Sequence, residues 1–268
     1  MRIKYIFCLF FVTTLNNAYA ETFDEYIDRA IMYLREDRYH EALAPINEAI
    51  RLNPNSARAY WYMGIIYFHF DDVNASLEYL HHAVELESDY ADAYITLGNV
   101  YAHIREYGRA LENFNLAIYH DPEDDWYYAS RAYLFGVMED YERAILDYSE
   151  AIRLNSESAE YFNNRGLLYF ALKRDNEALA DYNRAIQIDT NDFALHFNRA
   201  APLINLGRYH EALIDINIAI LLNPHHRQAY QLRANVFQQL ARTTENFRQQ
   251  NDFLQWAQED LRTAATLE

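Results

Sequence analysis

The side chains of this sequence that could do chemistry with a partner are amides and aromatic rings set at a fixed interval. Asn164 and Asn198 stand 34 residues apart, with Asn163 beside the first and Asn235 further along. A side-chain amide both donates and accepts, so a row of amides can hold an extended peptide backbone whatever its sequence. The plainer alternative is that these amides only solvate a surface. Arginines keep the same interval. Arg131, Arg165 and Arg199 are each followed 16 residues on by Asp147, Asp181 and Asp215, and Arg233 is followed after a longer gap by Asp260. Their joint presence predicts guanidinium–carboxylate pairs with a structural role.

Covalent and metal chemistry find no comparable footing. No nucleophile sits in a recognisable elbow, no glycine-rich phosphate loop exists, and the single cysteine, Cys8, forms no pair that could hold zinc. His81-His82 and His225-His226 are sequence neighbours that point to different faces. His69 and His103 share a place in the period but lack a third ligand. The expectation is a protein without cofactor, metal or catalysis.

The elements that must position these side chains are helices. The stretch from Ala159 to Asp192 places small residues at its eighth, twentieth and twenty-seventh positions, Gly166, Ala178 and Ala185, with bulky residues between them. That predicts a helical hairpin whose backbones approach where side chains are small. Asp175-Asn176 lies in the break, as a polar cap for the second helix. The frame repeats without a gap from Phe23. Position 8 holds Ala30, Gly64, Gly98, Ala132, Gly166, Ala200 and Ala234, and position 4 is aromatic or histidine throughout. Proline recurs at position 32 as Pro54, Pro122 and Pro224, where it stops a helix. Scarce glycine and proline, 6 and 5, beside 24 tyrosines and 15 phenylalanines, agree with an all-α chain.

The pattern resembles the tetratricopeptide repeat: a period of 34, an aromatic at 4, small residues at 8, 20 and 27, and proline at 32. The resemblance divides the chain into repeats at residues 23–56, 57–90, 91–124, 125–158, 159–192, 193–226 and 227–268. It implies a right-handed superhelical solenoid of antiparallel helix pairs that binds a protein or peptide partner in a concave groove. In that family, positions 2, 5, 6, 9, 12 and 13 of each first helix line the groove. The candidate binding residues are therefore Trp61, Phe68, Trp126, Tyr133, Asn163, Asn164, Phe170, Phe197, Asn198 and Asn235. Similar asparagine ladders occur in arrays that bind peptides. The set of lysine, asparagine and arginine at positions 2, 5, 6 and 9 with which some relatives hold a C-terminal carboxylate is missing; Arg58 is the one cation at those four positions.

The ends differ from the middle. Arg2 and Lys4, the apolar run Tyr5 to Val12 and the close Ala18-Tyr19-Ala20 predict a secretory signal peptide at residues 1–20, cleaved after Ala20. The protein is then exported, periplasmic or secreted, without stable membrane insertion after cleavage. A net charge of −17, more negative still without Arg2 and Lys4, repels nucleic acid and anionic lipid. The seventh repeat breaks the period near residues 241–251 with a polar insertion or an extension of its helices. Its many glutamines fit a soluble end cap. The expected function is an exported interaction module or scaffold, as an envelope assembly factor or chaperone adaptor. The alternatives are a self-assembling structural protein, a homo-oligomer joined through this amide-rich end, and a non-catalytic regulatory subunit.

Overall fold

The computed structural model describes residues 21–267, so the expected signal peptide lies outside the described residues. Fourteen α-helices, in seven antiparallel pairs, form the described chain, which divides into a unit ending at Pro122 and a unit starting at Glu123.

The first unit contains α1 (Phe23–Arg35), α2 (Tyr39–Leu52), α3 (Ala57–His69), α4 (Val73–Leu86), α5 (Ala91–His103) and α6 (Tyr107–His120). The second contains α7 (Asp125–Val137), α8 (Tyr141–Leu154), α9 (Ala159–Ala171), α10 (Asp175–Ile188), α11 (Phe193–Asn205), α12 (Tyr209–Leu222), α13 (Arg227–Thr243) and α14 (Phe247–Thr266). Every first helix starts at position 1 of its repeat. In each unit a hairpin packs on the next, because one pair alone cannot cover its apolar face. Ile27, Ala42, Ile46, Ala59, Met63 and Ile66 bury together across repeats 1 and 2. Leu179, Leu203, Ile216, Ala229, Val236 and Leu240 do the same across repeats 5 to 7.

The small residues at position 8 are set by close approach. A Cβ on Gly98 would lie 2.3 Å from the Phe114 ring, and one on Gly166 would lie 2.9 Å from Tyr182. The turn inside each of the first six hairpins follows one recipe. The residue at position 15 takes the left-handed conformation: Asp37, Asp71, Arg105, Glu139, Lys173 and Gly207. The next amide reaches back five residues, as from Arg38 to the Tyr33 carbonyl at 2.9 Å and from Arg208 to Leu203 at 2.8 Å, which closes the helix end.

One expectation needs correction. Asp175 does not cap the second helix of its hairpin; it is the first residue of α10, and the cap position is Arg174, which makes no capping bond. Arg174 instead pairs with Glu177 at 2.9 Å, one turn into the helix. The break near residues 241–251 is no loop. It is taken up by longer helices, 17 residues in α13 and 20 in α14, joined by residues 244–246 alone. Among the described residues no helix is long and apolar enough to cross a membrane.

Candidate functional site

The four arginines at position 7 of the second unit fix the frame on which the candidate site rests. Each guanidinium spans both oxygens of the aspartate in its own hairpin: Arg131 on Asp147, Arg165 on Asp181, Arg199 on Asp215 and Arg233 on Asp260, at 2.6–2.8 Å. All four carboxylates are buried. Three arginines also donate from Nη1 to the preceding hairpin: Arg165 to Ser149, Arg199 to Asn183 and Arg233 to Asn217. The hydrogen bonds to Asp260 hold the Arg233 guanidinium above its ordinary pKa, against the opposing effect of burial. Asp215 has a further neighbour, the Nδ1 of His196 at 3.3 Å. Two parallel N–H···O bonds per pair lock the side chains into one geometry, which a lysine could not do.

On the exposed side of the same first helices lie the amides. Asn198 donates to the Asn163 carbonyl oxygen at 2.9 Å, Asn163 donates to Asn164 at 3.3 Å, and Asn164 lies beside Tyr148. The amides thus form one connected line across repeats 5 and 6 rather than separate rungs. Burial pushes the Tyr148 phenol up to about 12, with the Asn164 amide opposing it. Each amide in the line keeps a second N–H for an incoming group.

The aromatic candidates divide into free and engaged rings. Tyr133 and Trp126 are 68% and 50% exposed. Phe170 is half-buried, and Phe197 meets the His226 ring edge-on at 4.7 Å. Asn235 is exposed on α13. Trp61 and Phe68 belong to the first unit, and both are engaged within it. The Trp61 indole donates to the Thr96 hydroxyl at 2.8 Å, and Phe68 meets His103 edge-on at 5.3 Å. His69 and His103, the histidine pair in register in neighbouring repeats, do not converge on a shared ligand. His69 stacks on Tyr39 at 3.8 Å, and burial lowers its pKa. Among the described residues no group of three or more potential ligands could hold a metal ion.

Tyr133, Gly136, Val137, Tyr148, Asn164 and Leu167 surround an open recess on this face of the second unit. Tyr148 and Gly136 escaped the sequence reading as site residues. Tyr148 is on a second helix, outside the positions counted as lining. Its signal was a tyrosine at position 24, where most repeats carry an aliphatic residue or phenylalanine.

Tetratricopeptide-repeat models match residues 27–80, 91–124 and 159–192, and a TPR repeat model matches residues 138–173. No curated protein sequence matches the chain. Among solved structures, YrrB, reported as a TPR protein with an unusual peptide-binding site, is 22% identical with a TM-score of 0.58, over 69% of this chain and 95% of its own. PilF of Pseudomonas aeruginosa is 18% identical with a TM-score of 0.63, over 77% and 90%. A tetratricopeptide repeat protein of Parabacteroides merdae is 17% identical with a TM-score of 0.61, over 88% and 98%. At these identities the likeness concerns the fold. Seven helix pairs on a 34-residue frame, matched by repeat models in both units, make this chain a tetratricopeptide-repeat protein.

Proposed function

We propose that the protein is a non-catalytic scaffold whose second unit binds an extended segment of a partner protein across its first helices. The observation that carries this reading is the hydrogen-bonded line from Asn198 through Asn163 to Asn164, with the solvent-facing rings of Trp126 and Tyr133 in the same unit. Amides give a peptide backbone its donor and acceptor, and the rings give apolar side chains a surface. The peptide-binding site reported for YrrB supports the same use of a similar fold. The test starts from partners recovered by pull-down and identified by mass spectrometry. Asn164→Ala with Asn198→Ala should weaken their binding roughly tenfold, two hydrogen bonds' worth, in a chain that still folds. Equal affinity would remove the reading.

Export is part of the proposal, and it rests on Arg2, Lys4, the apolar run and Ala18-Tyr19-Ala20. An exported scaffold of this kind would serve as an envelope assembly factor or chaperone adaptor. Mass spectrometry of the protein from its own cells should place the N-terminus at Glu21; an intact leader would exclude export.

One observation favours self-association as a second role. Phe247, Leu254 and Leu261 are exposed at seven-residue intervals along α14, a straight apolar seam of the kind that pairs helices. Sedimentation that changes with concentration, and stops changing in Leu254→Glu, would support it. Concentration-independent sedimentation would exclude it.

A further inference from the structure

Gly136 lies inside α7, at position 12, where the other repeats carry Leu34, Phe68, Ala102, Phe170, Ile204 and Gln238. Glycine is the poorest interior helix former after proline. Neither of its usual structural reasons applies here. It is absent from the left-handed residues, and an added Cβ would meet only Leu168 Cδ2, at an ordinary 3.7 Å. The missing side chain does have one effect. It leaves open the recess between α7 and α9, about 250 Å3, walled by Tyr133, Val137 and Leu167 and edged by Tyr148 and Asn164. That is below the roughly 300–1,000 Å3 of a small-molecule site and has room for one bulky side chain.

The surroundings of the recess lack charge. Across positions 2, 5, 6, 9, 12 and 13 of repeats 4 to 7, Glu160 is the one acid and no lysine, arginine or histidine occurs, in a chain of net charge −17. A charged segment laid there would lose water without gaining a counter-charge.

We propose that the Gly136 recess anchors one large apolar side chain of an uncharged peptide segment, whose backbone is held by the amide line from Asn164 to Asn198. This assignment rests on the peptide-binding reading and names its ligand class. Bulk comes from the recess, and neutrality comes from the lining.

The test is a random dodecapeptide display library panned on the immobilised full chain. Enriched peptides should share one Leu, Ile, Phe, Tyr or Trp and be depleted of Lys, Arg, Asp and Glu beside it. They should bind Gly136→Leu about tenfold or more weakly, as expected for losing a buried apolar side chain. Gly136→Ala, which adds a single methyl group, should weaken binding less than Gly136→Leu and melt higher. If Gly136→Leu fails to fold, Leu167→Trp fills the same recess from α9 and should give the same loss. Charged consensus peptides, or undiminished binding to a folded filled variant, would overturn the anchor and leave peptide binding standing. Enrichment of no peptide would remove peptide binding itself, and the anchor with it.

Discussion

Repeats 1 to 3 and repeats 4 to 7 are built on one frame and are stitched by different chemistry. In the first unit, positions 7 and 23 hold Arg29 with Pro45, Met63 with Tyr79 and Leu97 with Asn113, so no guanidinium–carboxylate pair can form there. Rings supply contacts instead: Tyr39 on His69 at 3.8 Å, His40 on Phe70 at 4.5 Å and Tyr94 on His120 at 5.5 Å. In the second unit four buried aspartates are each clasped by an arginine. Small residues at positions 8, 20 and 27 recur in both halves because two backbones meet there. Positions 7 and 23 accept any pair that satisfies itself.

The largest expected effect tests whether the second unit depends on its pairs. Asp215→Ala leaves Arg199 and His196 without their shared partner and should lower stability by about 3–5 kcal/mol in chemical denaturation. Replacing Arg199 and Asp215 together by Met and Leu should cost far less, because no buried charge is left alone. A loss below ~1 kcal/mol for Asp215→Ala would erase the contrast between the halves. A smaller effect separates two tyrosines at position 24. The Tyr182 hydroxyl is buried and unpartnered, whereas Tyr148 has the Asn164 amide beside it. Tyr182→Phe should therefore raise stability by about 1–2 kcal/mol and Tyr148→Phe should lower it slightly. Equal shifts would mean that the hydroxyls are alike. The smallest effect concerns the turns that both halves share. Gly207→Ala puts a side chain at a φ of +71° and should lower stability by ~0.5–1 kcal/mol, while Lys173→Gly should gain a comparable amount. A neutral result at both sites would show that the turn tolerates a Cβ without strain.

Helix positions were legible in the sequence because the period is strict. Position 1 predicted the start of every first helix, and the Arg–Asp pairs followed from their joint presence. The inner turn was not legible, since five of its six left-handed residues are Asp, Arg, Glu or Lys and glycine marks the place only at Gly207. Asp175 was misread as a cap for the same reason: without a visible turn residue the helix start was misplaced by one. The amides were read as independent rungs. Their actual partners are each other, which depends on side chains brought together from neighbouring hairpins. Tyr148 and the recess were missed because counting along first helices cannot reveal a ring that arrives from a second helix. The end of the seventh repeat kept its frame in space while losing it in number, as longer helices absorbed the extra residues.

The third hydrogen bond of each linking arginine has a consequence for how such a chain can grow. Arg165, Arg199 and Arg233 each read Ser or Asn at position 25 of the hairpin before them. A repeat copied within this half brings its own socket and its own plug, so duplication is self-matching at both new seams. A hairpin from repeat 2 transplanted there would offer Met63 where the plug belongs and His81 where the socket belongs. At positions 7 and 25 a copy of repeat 4, 5 or 6 therefore matches its neighbours, whereas a copy of repeat 2 does not.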